Sequence, residues 1–138
     1  MAESTTPDLV ALARAWAAAE DVETTMSFYG PDPVWDGSPL GLEVHEGHDA
    51  IRENLEYWLE IYDDFTDEDQ EVRDLGQGVV FSAARLSGRL RSADTTGRVH
   101  GVYGYVSVWT NGKISRVSVY PDIDEALAVG ERLAQERR

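Results

Sequence analysis

The segment RVHGVYGYVSVWTNGKISRVSVY, residues 98–120, decides the fold. Two stretches of strand-like composition flank Asn111 and Gly112, a pair typical of a tight hairpin turn. In the first stretch both alternating sets are apolar; one contains Tyr103, Tyr105 and Trp109, and the other Val102, Val106 and Val108. A strand with two apolar faces must be covered on both sides. The segment therefore predicts an antiparallel sheet with a layer packed on each face.

Further strands precede this hairpin, and helices precede the strands. Strand periodicity begins at Val72 and continues through GVVFSAARLSGRLR, residues 78–91, with a polar hairpin loop at 91–97. Thr6–Asp8 is typical of a helix start, and Asp21 of a second one. The clearest helix is EGHDAIRENLEYWLEIY, residues 46–62, and a polar helix follows residue 122.

This order predicts an α+β fold in which helices pack on one face of a curved, mostly antiparallel sheet. Too few helices remain for the other face. We therefore expect a homodimer that forms through the outer face of the sheet.

Composition favours one domain, residues 1–138, that works without nucleic acid or membrane partners. The 26 acidic and 12 basic side chains give a net charge of −14, which repels phosphate backbones and anionic lipids. There is no cysteine, so disulfides and thiolate chemistry are excluded. Because the first residues lack a leader-like segment, we expect a cytoplasmic protein.

Neither polar cluster in the chain predicts a metal site. The acidic run DDFTDEDQE, residues 63–71, lacks the ligand spacing of a calcium loop and is interpreted as a solvated connection. In HEGH, residues 45–48, the spacing of the two histidines does not match a helical zinc pair. We therefore predict no metal and no cofactor.

One carboxylate stands out, in the segment PDPVWDGSPLG at residues 31–41. Proline and glycine restrict the strand to about Val34–Asp36. If Asp36 points into an apolar pocket it is a candidate general base, whereas its alternative role is to cap the turn at Ser38. Neighbouring strand residues point to opposite faces, so Trp35 is then expected outside the pocket.

The chain resembles SnoaL-like members of the NTF2-like superfamily, which also contains ketosteroid isomerase, scytalone dehydratase and limonene epoxide hydrolase. The resemblance is carried by SFYGPDPVWDGSP, EGHDAIRENLEYW, DLGQGVVF and VSVWTNGKISRVSVYPDIDEAL, in that order. It implies a cone-shaped α+β barrel whose bent sheet wraps around the long helix and leaves a deep apolar pocket. It also implies that Asp36 holds the position of the catalytic base.

The other catalytic positions of ketosteroid isomerase differ in this chain. Its first-helix tyrosine falls near Ala15 or Trp16, and its late-strand acid falls near Tyr105. Tyr105 can still donate a hydrogen bond to a developing oxyanion. The predicted catalytic pair is therefore Asp36 and Tyr105.

The predicted pocket lining is mostly aromatic and consists of Trp16, Tyr29, Trp58, Tyr62, Trp109 and Arg116. Arg116 needs a partner if it is buried, either Asp36 or the substrate. A register slip of one residue would instead place His100, Val102 and Val106 inside.

The leading hypothesis is a SnoaL-like enzyme that performs cofactor-independent proton transfer on a compact apolar or polyketide-like molecule. Such an enzyme would be an isomerase, cyclase, dehydratase or hydrolase. The alternatives are a non-catalytic module that binds a small hydrophobic ligand, and an interaction domain that uses the outer sheet face.

Overall fold

The computed structural model describes residues 8–90 and 99–138. The predicted helix start at Thr6 and Pro7 and the hairpin loop at 91–97 lie outside the described residues. The helices are α1 (Leu9–Ala18), α2 (Val22–Met26), α3 (His48–Ile61) and α4 (Ile123–Glu136). The strands are β1 (Tyr29–Asp36), β2 (Val44–Glu46), β3 (Tyr62–Gly76), β4 (Val79–Leu90), β5 (Val99–Thr110) and β6 (Lys113–Tyr120).

The described strands form one sheet in the order β2-β1-β6-β5-β4-β3. Only β1 and β6 run parallel, and every other neighbouring pair is antiparallel. The sheet is curved but not closed, with β2 and β3 at its edges. The predicted α+β class and the mostly antiparallel curved sheet are therefore confirmed.

Local signals set most helix starts. Asp8, Asp21 and Asp122 cap α1, α2 and α4 by accepting backbone N–H bonds with their carboxylates. Arg52 of α3 binds both carboxylate oxygens of Glu23 in α2, at 2.7 and 2.8 Å. These contacts fix α2 against the long helix.

The acidic run at residues 63–71 is not the solvated connection that its composition suggested. It lies in β3 and pairs with β4, with register shifts between Asp63 and Thr66 and between Asp69 and Glu71. Pairing with a neighbouring strand overrides the weak strand propensity of acidic residues. The run therefore forms part of the sheet.

Both faces of the sheet are covered by helices of the same chain. The concave-face cluster contains Leu9, Ala13, Met26, Ile51, Val80, Trp109, Ile114, Val117 and Val119. The outer cluster, against α4, contains Val79, Phe81, Ala83, Val106, Ala126 and Ala134. The prediction that both faces are covered is confirmed. The prediction that helices pack on one face only was wrong, because α4 packs on the outer face.

The sequence did not predict that α4 covers a sheet face, because the buried stripe of this helix is made of small residues. Ala126, Gly130 and Ala134 recur every four positions and are buried. Since α4 accounts for the second apolar face, that face gives no reason to require a partner subunit. The homodimer stays a prediction.

Gly104 allows the close approach of α4 to β5. A Cβ atom built at Gly104 would lie 2.4 Å from the Cβ of Ala126, which is fully buried. Gly104→Ala should therefore lower the free energy of unfolding by about 1–3 kcal/mol, as overpacked sites do. Urea denaturation measures this change.

The control for this prediction is Gly30→Ala in β1. A Cβ there meets its nearest neighbours at 3.4 and 3.5 Å, which is ordinary contact. Equal destabilisation by both variants would contradict close packing at Gly104, because the cost would then come from any strand glycine.

Candidate functional site

A cavity of about 880 Å³ lies between the concave face of the sheet and the helices α1 and α3. Among the residues that the structure describes, eight aromatic side chains line it: Trp16, Tyr29, Trp35, Trp58, Tyr62, Phe65, Tyr103 and Tyr105. Volumes of this size are typical of sites for small organic molecules. We call this space the cavity.

Strand alternation and small residues together create the cavity. Tyr103 and Tyr105 of β5 point into it, while Val106 points to α4. Small residues leave room beside the rings: a Cβ at Gly88 would touch Tyr62 at 3.0 Å, and one at Gly101 would touch the Tyr103 hydroxyl at 2.9 Å. Because Tyr105 lines the cavity and Val106 packs against α4, the observed register is the one that was expected and not the one shifted by a residue.

Three of the rings that line the cavity, Trp58, Tyr62 and Phe65, form a cluster. Trp58 and Tyr62 stack with centroids 5.7 Å apart and an interplanar angle of 8°. Tyr62 and Phe65 lie 5.9 Å apart in a tilted arrangement. We call these three residues the ring cluster.

Trp16 and Tyr29, which also line the cavity, make contacts that hold the core together. Trp16 meets Tyr29 edge-on at 6.2 Å and Trp109 at 6.4 Å. Burial raises the pKa of Tyr29 well above its ordinary value. The Tyr29 hydroxyl therefore stays protonated at physiological pH. Trp109 donates its indole N–H to Ser107 at 2.9 Å and is 4% exposed.

The aromatic part of the predicted lining agrees with this geometry. Trp16, Tyr29, Trp58 and Tyr62, which were predicted to line the pocket, all line the cavity. Tyr105, predicted as a catalytic residue, lines it too. Trp109, which was also expected there, is packed behind Trp16 in the core instead. The side chain of His100, the alternative to Tyr105, is outside the described residues.

The expected position of Asp36 in the cavity is wrong. Its carboxylate accepts from Arg116 Nη2 at 2.6 Å and from the Ser38 backbone N–H at 2.9 Å. Asp36 and Arg116 line a separate depression of about 320 Å³ between the outer sheet face and α4. Arg116 thus pairs with Asp36, one of its two expected partners, but on the face opposite the cavity.

Strand register explains the exchange of Trp35 and Asp36. Trp35 pairs with Val117, which faces the concave core, and Asp36 pairs with Ser118 beside the outer depression. Trp35 consequently lines the cavity, where its ring lies 5.8 Å from that of His45. The two side chains do point to opposite faces, but in the reverse of the expected sense.

The sequence analysis did not identify Asp67 in β3 as a site residue. It is half-buried, lines the cavity, and pairs with Leu86, which lines it too. The run around it was interpreted as solvated, so its members were not considered as site residues. The aromatic Phe65 inside that run was the signal that one side of it is covered.

Two polar groups of the lining were also missed. The Tyr103 hydroxyl and the Asn54 amide both line the cavity and are half-buried. Neither side chain forms a hydrogen bond with another residue in the parts of the chain that the structure describes. Both are therefore available to a ligand.

Metal and membrane sites find no support in residues 8–90 and 99–138. No group of three or more His, Asp or Glu side chains converges there as a metal site would. His48 donates from Nε2 to the Gly30 carbonyl at 2.5 Å instead. None of the helices described there is long and apolar enough to cross a bilayer.

Comparison with known families agrees with this architecture. A SnoaL-like domain model matches residues 9–117. The chain belongs to the SnoaL-like domain family. No curated protein matches the sequence.

Several solved structures are similar to this SnoaL-like protein over most of its length. A hypothetical protein of ketosteroid isomerase-like fold from Catenulispora acidiphila, in complex with trimethylamine, is 14% identical with a TM-score of 0.70, over 91% of this chain and 94% of that one. A candidate polyketide cyclase from Sinorhizobium meliloti is 20% identical with a TM-score of 0.62, over 83% and 94%. An LEH-like epoxide hydrolase from M. tuberculosis is 16% identical with a TM-score of 0.67, over 94% and 96%. At these identities the likeness shows the fold alone.

The Asp36–Arg116 pair should make stability depend on pH. Hydrogen bonds from Ser38, together with the Arg116 guanidinium, hold the pKa of Asp36 below its ordinary value of 3.8. A lowered folded-state pKa contributes stability that is present above the unfolded-state pKa and is lost as pH falls through the folded value. Asp36→Asn should therefore lower the free energy of unfolding by roughly 1 kcal/mol near neutral pH. That loss should shrink below about pH 4.

Urea unfolding at a series of pH values measures this difference. Asp32→Asn, in the exposed part of the same strand, is the matched control and should show no such pH-dependent loss. The same pH dependence in both variants would contradict a stabilising role for the pair.

Proposed function

We propose that this SnoaL-like protein is an enzyme that binds a compact, largely apolar or polyketide-like molecule in the cavity and moves a proton on it. The chemistry would be of the isomerase, cyclase, dehydratase or hydrolase type, and would use protein groups without a cofactor. The observation that carries the proposal is a half-buried carboxylate, Asp67, in an aromatic-walled cavity of about 880 Å³.

Asp67 is suited to the role of general base by its position. Among the acidic residues that line the cavity, Glu20, Asp21 and Glu68 are exposed, and Asp21 also caps α2. Of the acidic lining residues whose burial is described, Asp67 is the half-buried one, and it lies two residues from Phe65 and opposite Leu86. A positioned carboxylate can take a proton from a bound C–H or O–H group.

Hydroxyl donors stand across the sheet from Asp67. Gly101 pairs with Leu86, which pairs with Asp67, and neighbouring strands are spaced about 4.8 Å apart. The Tyr103 hydroxyl, which lies over Gly101, therefore belongs to a strand about 10 Å from Asp67. Tyr105 lies two residues further along β5, opposite Ser82.

This arrangement supports a division of roles. A molecule of one or two rings placed between the two strands can offer a proton to Asp67 and a developing negative oxygen to the tyrosine hydroxyls. The names of the structural neighbours, a candidate polyketide cyclase and an epoxide hydrolase, also favour a small-molecule reaction.

The second candidate function is binding without turnover. It is favoured by the position of Asp36, because the residue that occupies the family's base position lies outside the cavity. A module that only holds an apolar ligand needs the aromatic walls but not a base. An assay of proton transfer therefore separates the two candidates.

Asp67→Asn tests the proposed base. The probe is nitrobenzisoxazole, a small apolar ring whose C–H proton is taken by a carboxylate as its N–O bond breaks to leave a nitrile and a coloured phenolate. Wild-type protein should accelerate this elimination, and Asp67→Asn should lower the rate constant at least about 100-fold, as loss of a general base does. Absorbance of the phenolate measures the rate.

Asp36→Asn is the matched control and should keep the wild-type rate constant, because Asp36 faces the outer depression. A larger loss in Asp36→Asn than in Asp67→Asn would reverse the assignment. Binding of the probe without acceleration would favour the binding module.

Tyr103→Phe tests the proposed donor in the same reaction. Removal of the hydroxyl should lower the rate constant between about 10- and 100-fold, because the developing phenolate loses a hydrogen bond. The control is Tyr57→Phe, since Tyr57 is 55% exposed and lies outside the cavity lining. If the two substitutions had equal effects, Tyr103 would have no special role.

A further inference from the structure

One buried hydroxyl in the wall of the cavity plays no part in the proposed proton transfer. Ser82 of β4 lines the cavity and is only 6% exposed. Its side chain forms no hydrogen bond with another residue in the ranges 8–90 and 99–138. A buried hydroxyl without a partner is unfavourable, and the cavity is the side from which a ligand atom can reach this one.

Ser107 in β5 is a buried serine of the same face whose hydroxyl serves the fold. It is 1% exposed and accepts the indole N–H of Trp109 at 2.9 Å. Ser107 pairs with Val80, which lies two residues from Ser82 in β4, so both serines belong to the concave face. The Ser82 hydroxyl makes no contact of this kind, and the fold therefore gives no reason for a polar group there.

The surroundings of Ser82 are apolar or aromatic. Ser82 pairs with Val72 of β3 and with Tyr105 of β5. Val80 and Ala84, the next residues of β4 on the same face, are buried. A charged ligand group placed among these four neighbours would lose its hydration without gaining an opposite charge from them. Since a serine hydroxyl can both donate and accept, the position suits an uncharged hydroxyl or carbonyl oxygen.

Ser82 is remote from the groups assigned to proton transfer. Asp67 pairs with Leu86, which pairs with Gly101, and the Tyr103 hydroxyl lies over Gly101. Leu86 and Ser82 are four residues apart in β4, which corresponds to about 13 Å at roughly 3.3 Å per residue. A molecule that reaches both positions must therefore be elongated along the strands.

We propose that Ser82 is a second binding residue of the cavity, and that it holds an uncharged hydroxyl or carbonyl oxygen at the far end of an elongated apolar ligand. The ligand class is thus a molecule of at least two linked or fused rings with an oxygen opposite its reacting end. This inference rests on the proposed function for the position of that reacting end. An interaction made equally in the bound substrate and in the transition state lowers KM without raising kcat, so Ser82 sets specificity rather than rate.

Ser82→Ala tests the proposal with two biphenyl derivatives of nearly equal shape. The para-hydroxy form carries the oxygen, and the para-methyl form replaces it with a methyl group. Ser82→Ala should weaken binding of hydroxybiphenyl about fivefold, because one neutral hydrogen bond is lost, and should leave binding of methylbiphenyl unchanged. Equilibrium dialysis, with the ligand quantified by chromatography, measures both dissociation constants.

Two further serine variants serve as controls. Ser118 is 8% exposed and lines the depression on the opposite face of the sheet, so Ser118→Ala should leave binding of both biphenyls unchanged. Ser107→Ala should lower the urea midpoint of unfolding, whereas Ser82→Ala should not lower it. An equal loss of midpoint in these two variants would overturn the proposal, because the Ser82 hydroxyl would then serve the fold.

The outcomes also distinguish this inference from the proposed function. If wild-type protein accelerated the nitrobenzisoxazole reaction but bound hydroxybiphenyl no more tightly than Ser82→Ala does, the inference would fail and the proposed catalysis would stand. Equal weakening of both biphenyls by Ser82→Ala would also overturn the inference, as would absence of hydroxybiphenyl binding. A selective loss of hydroxybiphenyl binding, without acceleration by the wild-type protein, would leave the Ser82 inference standing and remove the proposed catalysis.

Discussion

The close contact between β5 and α4 is the constraint on which the rest of the structure depends. Gly104 brings the backbone of β5 against the buried Ala126, so α4 covers the outer face of the sheet. With that face sealed, the alternate residues of β5 must point the other way. Tyr103 and Tyr105 then stand in the concave side, where the helices α1 and α3 leave a space. The cavity is thus a consequence of how the opposite face is packed.

Much of the fold could be predicted from periodicity and turn chemistry, because these signals are local. Helix caps such as Asp21 and the Asn111-Gly112 turn act within a few residues. The position of α4 was harder to predict from the sequence, since a stripe of alanine and glycine carries little hydrophobic signal. Its burial depends on a small residue at the matching point of another strand, which no local pattern reveals.

The candidate site was less predictable, because side-chain direction depends on pairing between distant strands. A shift of one residue in β1 would exchange Trp35 and Asp36 between the two faces. Only the pairing of β1 with β6 decides which of them faces the helices. Asp67 was missed for a related reason: acidic composition predicts exposure, whereas a place in β3 beside β4 turns one side chain toward the cavity.

The separation of the two carboxylates has a mechanistic consequence. Asp36 joins β1 to β6 through Arg116, so this acid stabilises the parallel pair at the outer face. A carboxylate held by a guanidinium and a backbone N–H has little remaining capacity to accept a substrate proton. Any acid–base chemistry in the cavity must therefore use a different strand. The fold therefore supplies the walls of the cavity, while the identity of a reactive group depends on which strand residue faces it, and at β1 that residue is Trp35 and not Asp36.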